Sequence, residues 1–262
     1  MTLKMKYNRI RHILCLLLLL VAWPFIALCD DAAMALFKKG NSEYAKAQYK
    51  EAIASYQKVV DGGYQSVAVY FNLGNAYYKT GDIASALLYY EKAHKLSPGD
   101  EDIRVNLQLA NSKTTDKFDE APEFFITKWW HAFILGLSLN TLAILSVLFI
   151  LAASGIFILY RFAGSVSVKK ASFYTALVVL FLGLAFIFVA GRQADYFESH
   201  REAIVFSGSV TIKSEPANAS KNLFVLHDGA KIEILEHNND WIKIRLPNGN
   251  EGWINATDVK EI

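Results

Sequence analysis

Two long apolar runs limit what this chain can fold into more than any other feature. Residues 133–160 and 173–190 each form a run without a charged side chain. At about 1.5 Å per helical residue, each run is long enough to cross a hydrocarbon core about 30 Å thick. The stretch 142–151 is apolar around the whole helix circumference, whereas a soluble helix normally keeps a polar face. The sequence therefore predicts two transmembrane helices.

The composition agrees with a membrane protein and excludes two other classes. Hydrophobic residues make up 53% of the 262 positions, and the mean hydropathy is +0.21, which exceeds what soluble cores need. The formal charge of +2 comes from four basic residues near the N-terminus, so residues 30–262 carry −2 and a nucleic-acid-binding role is not expected. Cys15 and Cys29 are the two cysteines, which leaves none downstream for a disulfide framework or a thiolate zinc site.

The N-terminus is typical of a secretory signal, which we predict over residues 1–29. Residues 4–12 are basic and residues 13–28 are an uncharged apolar run, the order found in signal peptides. In the segment Ala27-Leu28-Cys29, small residues occupy the two positions that signal peptidase recognises, which favours cleavage after Cys29. Acylation of Cys29 is a weaker alternative because Leu28 is large for a lipobox, and an uncleaved anchor is a third. All three place the next segment outside the cytoplasm.

The short segment between the apolar runs sets the expected topology. Residues 161–170 carry three basic residues and no acid, which marks this loop as cytoplasmic. Residues 30–128 and 191–262 then both lie outside the cytoplasm. The sequence thus predicts an inner-membrane protein with these two segments in the periplasm. The polar residues within the runs are uncharged, which favours helix packing over an ion path and argues against a channel or transporter.

The region after the signal contains a helical repeat. The segment 67–100 looks like a complete tetratricopeptide repeat (TPR), with small residues where two antiparallel helices would cross. An earlier copy at 33–66 departs from the pattern at two positions. Glu43 stands where an aromatic residue is usual, and Ala47 stands where the turn glycine is usual. A third first-helix follows at 101–111. In the complete copy at 67–100, the residues that match the TPR pattern are Tyr70, Leu73, Gly74, Tyr77, Gly81, Ala86, Tyr90, Ala93 and Pro98.

Repeats of this kind bind a segment of another protein on the concave face that their first helices form. Asparagine amides there can bind a peptide backbone, and aromatic rings add apolar area, although about half of these rings are expected only to pack. Relatives that grip a C-terminal carboxylate carry Lys or Arg where this chain has Phe37, Asp102 and Asn106, which argues against such a clamp. The predicted partner-binding residues are Phe37, Asn41, Tyr44, Phe71, Asn72, Asn75, Tyr78 and Asn106.

After the second apolar run the hydrophobic period changes to the alternation of β-strands. Five short strands are predicted, around 210–212, 223–226, 231–235, 241–245 and 252–254, and turn residues separate them. They predict a small antiparallel barrel that resembles the bacterial SH3 type, with a strand that opens on Trp241 and a late Gly252-Trp253-Ile254. Trp241 is either a groove aromatic or a core residue, and Trp253 is expected in the core. Early peptide-binding tyrosines of eukaryotic relatives are not evident.

The sequence offers no catalytic constellation. After the predicted signal, five histidines at positions 94, 131, 200, 227 and 237 are scattered, and no motif for a nucleophile, a zinc ligand set or a phosphate loop appears. We therefore predict a protein that is not an enzyme and that uses no cofactor or metal.

The expected fold is a multi-domain membrane protein with an all-α TPR superhelix, a transmembrane helical hairpin and a small all-β SH3-like barrel. The predicted segments are a signal peptide (1–29), a TPR domain (30–117), a linker and interfacial segment (118–131), transmembrane helices (132–160 and 173–191) around a cytoplasmic loop (161–172), and an SH3-like domain (200–262).

This order of domains resembles the BatE-type aerotolerance proteins. The resemblance implies an inner-membrane adaptor that works beside von Willebrand A-type membrane proteins and a MoxR-type ATPase in stress tolerance. Two alternatives are a sensor or binder of cell-wall peptidoglycan, and an auxiliary subunit of a membrane enzyme or transporter.

Overall fold

The computed structural model describes residues 31–118 and 124–262, so the predicted signal and its processing at Cys29 lie outside the described residues. The predicted fold class is confirmed in this part of the chain: a helical repeat, two long apolar helices and an antiparallel sheet follow one another. The helices are α1 (Asp31–Ala45), α2 (Tyr49–Asp61), α3 (Val67–Thr80), α4 (Ile83–Leu96), α5 (Glu101–Asn111), α6 (Phe125–Ile134), α7 (Leu139–Phe162) and α8 (Val166–Ser199). The strands are β1 (Arg201–Val205), β2 (Ser209–Lys213), β3 (Asn222–His227), β4 (Lys231–Asn238), β5 (Trp241–Arg245), β6 (Glu251–Asn255) and β7 (Val259–Glu261).

Glycine determines how closely the two helices of each repeat approach. A Cβ atom placed on Gly40 would lie 2.5 Å from the ring of Tyr56, and one on Gly74 would lie 2.5 Å from the ring of Tyr90. The second contact is the first one shifted along the chain by one predicted repeat. Both tyrosine rings are almost fully buried, at 1% exposure, so each fills the space that its glycine leaves.

The turns between the paired helices also repeat. Gly81 follows α3 with a φ of +84°, the left-handed conformation that glycine adopts without a steric cost. Ala47 takes the same place after α1 with a φ of +59°. The departure from glycine noted in the sequence therefore leaves the turn conformation unchanged and puts an alanine in a disfavoured backbone region.

Helices α7 and α8 have the length and composition needed to cross a membrane. The first apolar run does not form one helix, because α6 ends at Ile134 and α7 begins at Leu139. Gln193 of α8 explains how the break is tolerated: this fully buried side chain donates hydrogen bonds of 2.8 and 2.9 Å to the carbonyls of Ile134 and Leu137. Helix α8 already starts at Val166, so the predicted loop at 161–172 shortens to 163–165.

The C-terminal domain is a seven-stranded antiparallel sheet in the order β3-β2-β6-β5-β4-β1-β7. All five predicted strands are present, and β1 and β7 were missed. Strand β1 escaped detection because Ala203, Ile204 and Val205 are all fully buried, so its hydrophobic pattern does not alternate. Strand β7 has only three residues.

The helical repeat and the sheet domain pack against each other, which the sequence did not indicate. Ile204 of β1 is 0% exposed and belongs to the hydrophobic core around α4 and α5, beside partly buried Phe206 and Ile262. The segment that follows α5, at the end of the predicted TPR domain and the start of the predicted linker, lies on the sheet domain as well. Asp116 accepts hydrogen bonds from the backbone nitrogen and the Nδ1 atom of His227, at 2.7 and 2.9 Å, and Phe118 packs against the sheet core.

Candidate functional site: the groove of the helical repeat

The first helices of the repeats, α1, α3 and α5, carry all eight predicted partner-binding residues. Asn41 is exposed and the other seven are partly buried. A hydrogen bond of 3.0 Å from Nδ2 of Asn72 to Oδ1 of Asn41 joins α3 to α1 across this surface. The residues lie on α1 (Phe37, Asn41, Tyr44), on α3 (Phe71, Asn72, Asn75, Tyr78) and on α5 (Asn106).

Two buried tyrosines fix the orientation of the asparagine amides. The hydroxyl of Tyr56 donates to Oδ1 of Asn41, and the hydroxyl of Tyr90 donates to Oδ1 of Asn75, both at 2.7 Å. Each tyrosine hydroxyl holds the amide oxygen in place, which fixes the plane of the amide and leaves its two N–H groups to donate elsewhere. The groove therefore presents oriented donors, which suit the carbonyl oxygens of a bound peptide backbone.

The protonation of these tyrosines is well defined. Burial raises the pKa of Tyr56 to about 12, against a smaller lowering by the side chain of Asn72. Burial also raises the pKa of Tyr90. Both hydroxyls therefore keep their proton and stay hydrogen-bond donors across the physiological pH range.

Most of the predicted groove aromatics also pack against rings of the neighbouring helices. Phe37 lies 5.9 Å from Tyr56 between ring centroids, Phe71 lies 5.9 Å from Tyr90, and Tyr44 lies 5.2 Å from Tyr49. These distances are typical of stabilising aromatic pairs. The rings thus help to build the wall of the groove as well as its surface.

The structure adds two groove residues that the sequence analysis missed. Val105 and Leu109 of α5 are 49% and 46% exposed. Val105 lies one repeat after Phe71, and Leu109 lies one repeat after Asn75, so the repeat register itself could have identified them. In this third copy no second helix with a tyrosine partner follows among the described residues, and the two apolar side chains remain open at the end of the groove.

Trp241 and Trp253 lie together on the outer face of the sheet domain. Trp253 pairs with Lys243 and Trp241 with Asn255, while Ile242 and the other alternate residues of β5 and β6 face the core. Both tryptophans are partly exposed. The expectation that Trp253 belongs to the core was therefore wrong, because the strand alternation that buries Ile254 turns Trp253 outward.

Charged side chains surround this tryptophan pair. Lys243 lies 2.9 Å from Glu251, and Arg245 lies 2.8 Å from Glu251 and 3.4 Å from Glu233. Hydrogen bonds from Lys243 and Arg245 hold the pKa of Glu251 below its usual value. In the described ranges 31–118 and 124–262, no cluster of three or more His, Cys, Asp and Glu side chains could hold a metal ion.

Comparison with known families assigns both soluble regions. Residues 31–101 match the tetratricopeptide repeat family, and residues 208–260 match the bacterial SH3 domain family. Both are non-catalytic interaction modules, so the chain has a protein-interaction or binding role. The bacterial SH3 domain favours an extracellular or periplasmic location, and the two apolar helices favour membrane association. No curated protein matches the chain.

Solved structures show partial likenesses. An NlpC/P60 family protein from Bacillus cereus ATCC 10987 is 15% identical over 27% of this chain and 23% of its own, with a TM-score of 0.21. The C-terminal SH3 domain of myosin IB from Entamoeba histolytica is 28% identical over 24% of this chain and 95% of its own, with a TM-score of 0.18. Yeast Tom70 is 17% identical over 66% of this chain and 27% of its own, with a TM-score of 0.30.

Proposed function

We propose that this protein is an inner-membrane adaptor that binds a segment of a partner protein in the groove of its helical repeat. The observation that carries the proposal is the repeated hydrogen bond of Tyr56 with Asn41 and of Tyr90 with Asn75, which fixes two amides on the first helices of the repeats. Apolar area beside these donors, from Phe71 and Val105, would bind the side chains of the segment. The residues proposed to contact the partner are the eight predicted positions together with Val105 and Leu109.

The topology is part of the same proposal. Helices α7 and α8 would cross the membrane as a hairpin, with the basic segment 161–170 in the cytoplasm. The helical repeat and the SH3-like domain would then both lie in the periplasm, and their mutual contact supports a location on the same side of the membrane. The order of domains supports membership of a Bat-type aerotolerance complex, with von Willebrand A-type membrane proteins and a MoxR-type ATPase as partners.

Crosslinking in the native membrane followed by mass spectrometry tests the partners. We expect von Willebrand A-type proteins among the crosslinked products, and their consistent absence would contradict the complex. The variant Asn75→Asp tests the groove, since it keeps an oxygen acceptor for Tyr90 but removes the amide donor. It should lose the partner that the parent chain captures, while Gln65→Glu, an exposed amide outside the predicted groove, should retain it.

A second function is favoured by the outer face of the sheet domain. Trp241 and Trp253 offer aromatic surface beside the ion-paired Lys243, a combination suited to a cell-wall glycan or its peptides. Binding of the full chain to purified sacculi tests this alternative. We would use the full chain because Ile204 packs into the helical repeat, so an isolated sheet domain would expose it. Retention that Trp241→Ala abolishes would favour peptidoglycan binding, and unchanged retention would contradict a role for this face.

A further inference from the structure

Three histidines that are distant in sequence meet where the helical repeat, the apolar hairpin and the sheet domain join. Tyr196 of α8 lies between two of them: its ring centroid is 4.9 Å from that of His131 on α6 and 4.4 Å from that of His200. His200 and His94 of α4 line one small cavity of about 20 Å³. The other residues around this cavity are Glu91, Lys95, Phe197, Glu202 and Ile262.

An ion-paired lysine holds the two soluble domains together beside this cavity. Nζ of Lys231, on β4, lies 3.1 Å from Glu91 of α4 and 2.8 Å from Glu202 of β1. The side chain of Glu91 is only 8% exposed, whereas those of Lys231 and Glu202 are 32% and 37% exposed, so the contact is partly shielded from solvent at the junction. Burial opposes the charge of Lys231, but the two carboxylates outweigh it and raise the pKa of the lysine. Lys95 adds a second link by donating to the carbonyl of Ile262 at 3.1 Å.

His94 is the group at this junction whose neutral form the packing favours. Its Nδ1 atom is buried without a hydrogen-bond partner among the described residues. Burial lowers the pKa of His94, Lys231 lowers it further, and Glu91 and Asp100 act in the opposite direction. Lys95, His200 and Glu202 line the same cavity. A proton on His94 would therefore place a poorly solvated cation near Lys231, although the carboxylates of Glu91 and Asp100 partly offset its charge.

We propose that the helical repeat and the SH3-like domain separate when His94 takes up a proton. The junction would then act as an acid-sensitive latch: it stays closed while the imidazole is neutral and opens when the surroundings acidify. This inference goes beyond the proposed adaptor function and does not depend on which partner occupies the groove. Opening would expose the face of the sheet domain that carries Ile204 and Phe206, both packed against the repeat in the closed form.

The direction of the pH effect follows from linkage. A solvated histidine titrates near pH 6.5, and the closed junction lowers the pKa of His94 below that value. The open form therefore binds more protons once the pH falls below about 6.5, so acidification favours opening. Glu202 acts in the opposite sense, because burial raises its pKa and the closed form then gains as this carboxyl is protonated. The variant Glu202→Gln removes this opposing effect and should open at a higher pH if its neutral amide keeps the junction closed at neutral pH.

His227 lies at the other edge of the contact. Its Nδ1 atom lies 2.9 Å from the carboxylate of Asp116. His237 lies 3.5 Å from Glu261 within the sheet domain and serves as a control residue.

Single-molecule energy transfer between the two domains tests the latch. The full chain in lipid nanodiscs, with Cys15→Ser and Cys29→Ser, would carry one dye at Lys46→Cys and one at Lys221→Cys, both exposed positions. We expect mainly the closed population at about pH 7.5 and a reversible shift of up to about tenfold toward the open population at about pH 5.5, which is the most that one histidine with a free pKa of about 6.5 can supply over this range. A closed population that persists unchanged at the lower pH would overturn the proposal.

The variants assign the effect to one residue. His94→Gln cannot take up the proton, so its closed population should persist at the lower pH, whereas His237→Gln should open like the parent. If His94→Gln were open even at neutral pH, His94→Phe would decide, because it restores ring volume without a titratable group. Persistence of the closed form in His94→Phe would support the latch. Opening of His94→Gln or His94→Phe with the pH dependence of the parent would refute it.

Discussion

Lys231 of the sheet domain lies 3.1 Å from Glu91 of the helical repeat, although the two residues are far apart in sequence. Glu91 follows Tyr90 directly on α4, and Tyr90 holds the groove residue Asn75 by a hydrogen bond of 2.7 Å. Helix α4 therefore supports the groove through Tyr90 and contacts the sheet domain through the next residue, Glu91. Changes at the domain junction and changes in the groove both act on α4.

Lys231→Met tests the junction between the domains. The change keeps much of the side-chain volume but leaves Glu91 and Glu202 without their shared cation. We expect a loss of about 1–3 kcal/mol in unfolding free energy, because an unsatisfied buried polar group costs that much. Thermal unfolding of the full chain in detergent would measure it. The matched change Lys243→Met breaks the solvent-exposed ion pair with Glu251 on the outer face, so it should cost clearly less than Lys231→Met. Equal losses in both variants would contradict a special role for Lys231.

Gly74→Ala tests the close approach of the repeat helices. The added methyl group would overlap the ring of Tyr90, which is 1% exposed and cannot move into solvent. Overpacking of this kind costs about 1–3 kcal/mol, so the melting temperature of the helical repeat should fall. Gly208→Ala is the control, since nothing lies within 4 Å of the new methyl group. A neutral result for Gly74→Ala would show that the helices can separate without loss.

Ala47→Gly should stabilise the first repeat. Ala47 adopts a φ of +59°, and Gly81 fills the equivalent turn of the second repeat at +84°. Glycine removes a left-handed strain of about 1–2 kcal/mol but loses more backbone entropy on folding, so we expect a net gain of about 0.5–1 kcal/mol. Ala45→Gly, slightly earlier at the end of α1, should instead destabilise. Chemical denaturation would compare the pair, and a gain in both variants would exclude the turn as the cause.

Tyr90→Phe tests the orientation of the groove amides. The ring still packs against Gly74, but Asn75 loses the hydroxyl that occupies its oxygen, which costs about 0.5–1.5 kcal/mol of stability. Because the amide is then free to rotate, capture of the partner should weaken by more than the fall in stability explains. Tyr56→Phe should act in the same way through Asn41. Unchanged partner capture in both variants would exclude a role for amide orientation in binding.

Much of the fold follows from periodicity in the sequence. The repeat pattern predicted that small residues such as Gly74 lie where the paired helices cross, and it identified the Gly81 turn, because local helix pairs depend on residues near one another in the chain. Alternating residues likewise located the five longer strands. Strand β1 was missed because burial of Ala203, Ile204 and Val205 on both faces removes the alternation on which detection depends. The break at residues 135–138 was hidden because Gln193, far along the chain on α8, satisfies the exposed carbonyls.

The candidate site, too, could be predicted from the sequence only in part. The sequence predicted groove positions from the repeat register, but hydrogen bonds of Asn41 and Asn75 to tyrosines of the second helices are visible only in three dimensions. Trp253 was expected in the core, and only the strand register places it beside Lys243 on the outer face.

The sequence by itself determined the modules of this protein: two apolar helices, a helical repeat and an antiparallel sheet, since each depends on a local pattern, either a continuous apolar run or a regular hydrophobic period. Tertiary structure alone decided how the modules meet. Histidines 94, 131 and 200 look scattered along the chain, yet they come together at the junction because Ile204 packs into the helical repeat and Lys231 pairs with Glu91. No local pattern encodes these contacts, because each joins side chains from separately folded segments whose approach is set by shape and charge over the whole chain.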